Sequence, residues 1–399
     1  MHTLFPLMKR LLFTLMLVIA AWTAVPAAHA LTPGTEHSGA PEVDAALDGQ
    51  AVEDEAESGK INPKEIIFDH LMDRYGWEVP FNHHKSIPLP IIVFDKEGHL
   101  HIFLSSKVEH DATYTTGGAT FRIAGADSPY KGKVVQILSD GQEYKPWDFS
   151  ITKNVCALFI TVLLVLWAVM GVARWHKRFG HKAPRRVTGI METIITFIYD
   201  GVIKPTLKDR AAKFAPYLLT VFFFILFMNL LGLVVIFPGG ANLTGNIAVT
   251  LVLSVITFFI TNIFGTKHYW KEIFWPDVPL WLKFPIPIMP VIELFGALTK
   301  PAALTVRLFA NMMGGHMIVI VLVLLIFIFA AMGPVVTGAT TVVSVLFSIF
   351  MLLIDVLVSF IQAYVFTMLS TIFISFAQER GEHEAHGDKH EPLPSTANK

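Results

Sequence analysis

The sequence of 399 residues is poor in charge, with only 16% charged side chains, and it has a single cysteine. An average soluble domain carries about 25% charged residues, so this composition argues against one water-soluble globule. The lone Cys156 cannot form an internal disulfide, which excludes a disulfide scaffold. Lysine plus arginine number 31 against 32 acidic residues, so no basic excess indicates nucleic acid as a partner.

A glycine-rich phosphate loop of the Walker type is also missing from the sequence, as is any internal repeat. Without that loop, we expect that this chain itself does not bind or hydrolyse ATP and is non-catalytic. No residue pattern in the sequence requires a cofactor. Three histidines near the C-terminus lie among acidic residues, but no closed ligand set surrounds them, so a solvated tail is favoured over a metal site.

Residues 1–30 have the features of a signal peptide. Lys9 and Arg10 precede an apolar run, and Ala28-His29-Ala30 supplies the small-x-small pattern that signal peptidase reads. An uncleaved anchor helix is the alternative, although the run is short for a bilayer. Both interpretations put residue 31 on the outer side of the membrane.

Two further segments precede the apolar part of the chain. Residues 31–62 are acidic and poor in apolar side chains, which predicts a disordered acidic leader. Residues 63–150 are predicted to form a small extracytoplasmic α+β region. Within it, the pattern favours a helix over residues 65–75 and a hairpin whose turn is at residues 95–98.

Four long apolar zones indicate the fold class. Three of them have about the 20 uncharged residues that a spanning helix needs, namely residues 155–173, 215–237 and 246–264. The fourth, residues 284–377, is too long for one span and is broken by Gly333-Pro334, which indicates a turn between two helices. We therefore predict an all-α polytopic membrane protein with five crossings, the last two forming a long tilted hairpin. The membrane domain is predicted over residues 151–377 and a cytoplasmic tail over residues 378–399.

Loop charges predict the orientation. Ten lysines and arginines lie from Arg174 to Lys213, whereas none lies from Pro238 to Gly245. By the positive-inside rule the first of these loops is cytoplasmic, which gives an extracytoplasmic mature N-terminus and a cytoplasmic C-terminus. Within that loop, apolar side chains of residues 190–198 recur at helical spacing, as in an interfacial helix or a packed loop helix.

Polar and ionisable residues are concentrated in the final hairpin. The first helix carries Glu293, Lys300, Arg307, Asn311 and His316, and the second carries Asp355 and Gln362. Ionisable groups at membrane depth cost a few kcal/mol each and indicate function. At 100° per residue, Glu293, Lys300 and Asn311 all lie within about 40° of Arg307 around the helix. These four residues therefore form one polar stripe. Polar residues also recur every seven positions on the second helix and form a second polar stripe there. If the polar stripes of the two helices face each other, they would line a hydrated path.

These residues differ in how strongly they indicate transport. Arg307 lies well inside the apolar zone and its guanidinium stays protonated at physiological pH, which favours a functional role. Glu293 and Lys300 lie near one end, where snorkelling or an ion pair explains them equally well. For His316 and Asp355 the alternatives are a buried structural pair and a proton relay. A secondary ion-coupled transporter is the alternative function.

Two motifs of the hairpin resemble a known family. Residues 298–301, Leu-Thr-Lys-Pro, followed by residues 306–312, Val-Arg-Leu-Phe-Ala-Asn-Met, are similar to the signature of subunit a of F-type ATP synthases. Residues 362–366, Gln-Ala-Tyr-Val-Phe, resemble the glutamine motif of that family's last helix. The resemblance implies a proton-translocating stator subunit that presents two offset half-channels to a rotating ring of c subunits.

The same resemblance implies residue roles, partners and location. Arg307 would be the essential arginine, Asn311 and Gln362 its polar neighbours, and Glu293 and Lys300 residues of the cytoplasmic side. The implied partners are the acidic c-ring, the subunit b stator stalk, the remainder of the ATP synthase and membrane lipid, in a bacterial inner membrane.

This sequence departs from the family pattern in one pair of residues. The family commonly has an acid nine residues after the arginine and a histidine seven residues before the glutamine. Here His316 and Asp355 take those positions in exchanged order, which preserves one acid and one base across the hairpin. The exchange favours the proton-relay interpretation over the structural pair.

Overall fold

The computed structural model describes residues 73–79, 82–109, 112–125, 128–138, 140–180, 184, 186–234, 240–274, 288–330 and 333–378. The predicted signal peptide, the acidic leader, most of the predicted helix over residues 65–75 and the tail beyond residue 378 lie outside these ranges. The described residues divide into two compact units. One comprises residues 73–156 with 314–354, and the other comprises residues 157–313 with 355–378.

Residues 73–150 fold into short antiparallel strands. They are β1 (Gly76–Val79), β2 (Asn82–Pro88), β3 (Pro90–Phe94), β4 (Leu100–Leu104), β5 (Tyr114–Thr116), β6 (Ala119–Ile123), β7 (Val134–Ile137), β8 (Glu143–Tyr144) and β9 (Trp147–Asp148). In the described part of this region they form three sheets, with strand orders β1-β2, β4-β3-β9 and β5-β6-β7-β8. The predicted hairpin around residues 95–98 is confirmed as β3 and β4, while the helical part of the predicted α+β region falls mostly outside the described residues.

The core of this β domain follows from alternation along its strands. In β3, Ile91 and Val93 are fully buried while their neighbours are half-buried, because successive side chains of a strand point to opposite faces. Phe103 of β4 and Phe121 of β6 pack against them, with ring centroids 5.6 Å apart. One apolar cluster therefore joins two of the sheets.

The turn between β3 and β4 is organised by the buried carboxylate of Asp95. Its Oδ1 accepts hydrogen bonds from the backbone N–H groups of Glu97 and His99 at 2.9 and 2.7 Å, and its Oδ2 lies 3.0 Å from Nε2 of the buried His101. Burial alone would raise the pKa of this carboxyl, but the hydrogen bonds from His101, His99 and Glu97 outweigh it and lower the pKa to about 2. Although Asp95, Glu97 and His99 also lie close enough to share an ion, these contacts already account for their arrangement.

Most of the described residues after residue 152 are helical. The α-helices are α1 (Lys153–Phe179), α2 (Val187–Ile198), α3 (Lys204–Leu207), α4 (Ala211–Leu233), α5 (Ile247–Ile263), α6 (Lys267–Phe274), α7 (Ile288–Ala330) and α8 (Pro334–Gln378). A π-helical stretch, Tyr199–Ile203, joins α2 to α3. The helix predicted over residues 190–198 is thus confirmed as α2.

Among the described residues, four helical segments are long and apolar enough to cross a membrane: Lys153–Phe179, Val187–Leu233, Leu294–Phe329 and Pro334–Gln378. The third predicted span corresponds to α5, which has 17 residues. At 1.5 Å per residue it measures about 26 Å, slightly less than the ~30 Å hydrocarbon core. The structure therefore gives a polytopic helical membrane protein, and the fifth crossing stays a prediction.

The hairpin of α7 and α8 turns where the sequence predicts it. Gly333 has a φ of 110°, a conformation that residues with a Cβ atom rarely adopt, and Pro334 begins α8. The Thr337 hydroxyl donates to the Gly333 carbonyl at 2.8 Å, which satisfies an acceptor at the turn. The Thr337 hydroxyl also lies 3.5 Å from the Phe329 carbonyl, so the first turn of α8 contacts the end of α7.

The C-terminal end of α8 forms hydrogen bonds with the segment before α4 and the segment after α5. Thr266 N–H donates to the carbonyl of Ala377 at 2.8 Å, and the Arg210 guanidinium donates to the side chain of Gln378 at 2.9 Å. The Ser375 hydroxyl donates to the Thr206 carbonyl at 3.2 Å. These contacts limit sliding and rotation of the helix that carries Gln362.

We predict that Asp95→Ala destabilises the β3–β4 turn at neutral pH. The change removes a charge-assisted hydrogen-bond acceptor and leaves the buried His101 without its carboxylate, a loss of about 2 kcal/mol. Hydrogen exchange of the peptide covering residues 95–103, measured by mass spectrometry on the full chain, should accelerate about 30-fold. Asp140→Ala removes an exposed turn carboxylate and is the matched control, for which exchange in this peptide should not change.

The stabilisation of the β3–β4 turn by the Asp95 carboxylate should decrease as the pH falls. Because its pKa is lowered from 3.8 to about 2, its stabilisation is present above pH 3.8 and is lost as the pH falls through about 2. Exchange rates of the original chain and of Asp95→Ala, corrected for intrinsic rates, should therefore converge at the acid end. A constant difference down to the lowest pH would contradict the role assigned to this carboxylate.

Candidate functional site

Arg307 lies on the exposed face of α7. Leu304 and Leu308 are buried at 2% and 1% exposure, whereas Ala303, Arg307 and Ala310 are exposed. Among the side chains that the structure describes, none forms an ion pair with this guanidinium. A permanent cation therefore stands on the exposed surface of a largely apolar helix, where a charge costs about 3 kcal/mol on insertion scales.

One helical turn further along, a hydrogen bond joins the two helices of the hairpin. Asn311 Nδ2 donates to Oε1 of Gln362 at 3.1 Å. Gln362 is buried, and within the described part of the chain its Nε2 has no hydrogen-bond partner. The structure thus brings together these two predicted neighbours of Arg307, and it leaves one buried donor available beside them.

Lys300 lies at a small polar cavity between α5, α6, α7 and α8. The cavity has a volume of about 20 Å³, enough for one water molecule. Its polar lining comes from Ser254, Thr257, Thr261, Asn262, Tyr269 and Lys300. The Lys300 ammonium lies 5.6 Å from the centre of the Phe373 ring, so this side chain is held within the helix bundle by a cation–π contact.

His316 and Asp355 belong to different compact units. His316 is half-buried, and its Nε2 has no hydrogen-bond partner among the described residues. Asp355 is also half-buried, and its backbone carbonyl accepts a hydrogen bond from Ser359 at 2.7 Å. The predicted pairing of these two side chains stays a prediction. Glu293 lies in the first turns of α7, and its side chain is outside the described part of the structure.

Sequence reasoning missed the cavity beside Lys300. Ser254 is fully buried, and its hydroxyl, which lines the cavity, has no hydrogen-bond partner among the described residues. Asn262 accepts a hydrogen bond from the Tyr269 hydroxyl at 3.2 Å at the same cavity. These residues come from separate helices, and serines and threonines in apolar runs are common packing residues, so no spacing in the sequence marked them.

Comparison with known proteins agrees with the motifs of the hairpin. Residues 155–375, more than half of the chain, match the family described as ATP synthase A chain. Residues 66–149 match a separate family described as a domain of unknown function. Two separate family models therefore match the β domain and the helical part of the chain.

Relatives with assigned names match about two thirds of the chain. An ATP synthase subunit a of Chlorobaculum tepidum is 43% identical over 259 residues, covering 62% of this chain and 67% of the relative. One of Pelodictyon phaeoclathratiforme is 42% identical over 247 residues, covering 60% of this chain and 68% of the relative. One of Myxococcus xanthus is 40% identical over 280 residues, covering 67% of this chain and 86% of the relative.

The helical hairpin, the arginine on its exposed face and these similarities agree with one another. The chain therefore belongs to the subunit a family of F-type ATP synthases, the proton-translocating stator subunit of the membrane sector.

Proposed function

We propose that this subunit presents two offset proton half-channels to a rotating ring of c subunits, with Arg307 separating them. The observation that carries the proposal is the exposed guanidinium on a membrane helix without a counter-ion among the described side chains. An unpaired cation in an apolar layer is stabilised by a carboxylate from a partner, since opposite charges attract strongly where the dielectric constant is low. An acidic site on a c subunit meets that requirement.

The outer half-channel in this proposal runs along His316 and Asp355. Histidine titrates near neutral pH and a carboxylate accepts and returns protons, so the two residue types suit a relay. The Nε2 atoms of His316 and Gln362 are buried and have no hydrogen-bond partner among the described residues. Water or a hydrated proton on this path could form hydrogen bonds with them. Asn311 and Gln362 then form the polar surroundings of Arg307 at the inner end of this path.

The cytoplasmic half-channel is proposed to run along Glu293 and Lys300. The polar cavity beside Lys300, with the unpartnered hydroxyl of Ser254 in its wall, supports hydration on this side of Arg307. A c-subunit carboxylate protonated from outside is neutral and can face lipid. After nearly a full rotation it would ionise into the cytoplasmic path and be attracted to Arg307.

The charge of Arg307 couples proton flow to rotation. A proton crossing the membrane releases about 2.3 kcal/mol per 100 mV, and this energy drives rotation only if no direct path exists. Because a guanidinium is protonated at any physiological pH, it repels a proton moving between the half-channels at all times. The chain itself is proposed to be non-catalytic, with ATP chemistry in other subunits of the complex.

We further propose a bacterial inner membrane as the location, with the mature N-terminus outside and the C-terminus in the cytoplasm. The cluster of basic residues between α1 and α4 supports this orientation by the positive-inside rule. Termini so placed require an odd number of crossings, which five crossings with α5 as the third would satisfy. The subunit b stalk is proposed to hold this subunit against the turning ring.

We expect Arg307→Ala to abolish ATP synthesis driven by a proton gradient in membrane vesicles. Removal of the charge leaves no attraction for the ionised carboxylate and no barrier between the half-channels, so passive proton leakage should appear while synthesis falls to background. The matched control is Arg178→Ala, which removes a guanidinium that lies over Phe179 at the end of α1. Normal coupled synthesis by Arg307→Ala would refute the proposal.

We expect Asp355→Asn to slow proton flux through the reconstituted complex strongly. The amide keeps the size of the side chain but can no longer gain and lose a proton. Asp209→Asn, which changes an exposed aspartate in the turn before α4, is the control and should leave the flux unchanged. If the Asp355→Asn complex conducts protons at the original rate, Asp355 has a structural role instead.

A further inference from the structure

The outer β domain carries an apolar face on the sheet β4-β3-β9, opposite its core. The face is formed by Phe94, Leu100, Ile102, Leu104, Trp147 and Phe149. The three β4 side chains, Leu100, Ile102 and Leu104, are 51%, 65% and 47% exposed. In the strand register, Phe94 of β3 is paired with Leu100 of β4 on one side and with Trp147 of β9 on the other. The rings of Phe94 and Phe149 pack edge to face, with their centroids 5.9 Å apart. The exposed surface is therefore continuous across three strands.

This face differs from a water-exposed sheet in the same domain. An antiparallel sheet with one solvated face alternates apolar residues inward with polar residues outward. Strand β6 follows that rule, with Phe121 buried and Thr120 and Arg122 directed outward. Strand β4 does not, because it buries Phe103 and still exposes only apolar side chains on its other side. An apolar surface of this extent is expected to have a cover.

Hydrogen bonds attach the apolar sheet directly to the first turn of α1. From Phe149 onwards the chain is hydrogen-bonded first to β3 and then to the residues before β1. No unattached linker therefore separates the sheet from α1. The bonds run from Phe149 N–H to Ile92 O at 2.9 Å, Ile151 N–H to Pro90 O at 3.1 Å, Lys153 N–H to Arg74 O at 3.0 Å and Asn154 N–H to Asp73 Oδ1 at 3.2 Å. The sheet is thus held beside the start of a membrane-spanning helix.

The distance along the chain fits the interfacial layer of a bilayer. Phe149 is four residues before Lys153, where α1 begins, so at most about 14 Å of chain separates them. The polar interface adds about 5 to 8 Å on each side of the hydrocarbon core. Tryptophan and other large aromatic side chains prefer this layer, and Trp147 and Phe149 lie at the edge of the sheet nearest α1 in sequence.

We propose that the apolar face docks on the outer leaflet of the membrane, with its side chains in the phospholipid interface next to α1. Docking removes the exposed apolar area from water and, together with the hydrogen-bonded connection to α1, fixes the β domain against the bilayer. The proposal concerns the outer domain, whose family has no described function, and it is independent of the roles given to the hairpin residues.

Site-directed spin labelling tests the docking in the assembled complex. Cys156 is the single cysteine, so Cys156→Ser provides a background for one label at a time. Ile102→Cys places the nitroxide on the apolar face, and Thr115→Cys places it at an exposed position of β5 as the matched control. The complex is reconstituted in phosphatidylcholine nanodiscs, and collision rates of each label with oxygen and with nickel ethylenediaminediacetate are measured by power saturation.

A docked face predicts opposite signs of the depth parameter at the two positions. The label at position 102 should collide more with oxygen, which concentrates in lipid, and the label at position 115 more with the water-soluble nickel complex. Equal, strong nickel accessibility at both positions would overturn the proposal because the face would then lie in water. Low accessibility to both reagents with an immobilised label at position 102 would also overturn it, because protein would then cover the face.

Discussion

A positive charge that cannot be neutralised by deprotonation stands on an apolar helix of 43 residues, and the rest of the membrane domain has to accommodate it. The helix exposes Arg307 while it buries Leu304 and Leu308 on another side. Hydrogen bonds at the C-terminal end of α8 attach the helix that carries Gln362, whose side chain accepts a hydrogen bond from Asn311 one turn beyond Arg307. A permanent cation on an exposed helix face is what a stator needs in order to act on a moving carboxylate.

Several features of this arrangement were predictable because they depend on local chemistry. Long apolar runs predict spanning helices, and Gly333-Pro334 combines a residue that tolerates positive φ with one that starts a helix. The β3–β4 hairpin follows from alternating apolar residues on both sides of a polar turn. The stripe containing Arg307 and Asn311 requires only a continuous helix, and α7 is continuous through Pro301.

Other features could not be predicted because they depend on how separate elements face each other. The Asn311–Gln362 hydrogen bond joins residues 51 positions apart, and its geometry is set by the relative rotation of two helices. The cavity beside Lys300 needs four helices in contact, and Ser254 is an ordinary packing residue in its own sequence context. Asn246 caps α5 by accepting a hydrogen bond from Ala248 N–H at 3.0 Å. In the β domain, strand β4 has large apolar side chains on both sides, and only the fold shows which side is the core.

The central claim is that the surface around Arg307 faces an acidic rotor, and photo-cross-linking from that surface tests it most directly. Ala303 and Ala310 are exposed on the same side of α7 as Arg307, and each can be replaced by a photoreactive amino acid in the complete complex in its membrane. The account predicts cross-links from both positions to a c subunit, mapped by mass spectrometry to peptides that contain its membrane-embedded carboxylate. Cross-links from both positions to lipid alone, with no rotor peptide recovered, would contradict it.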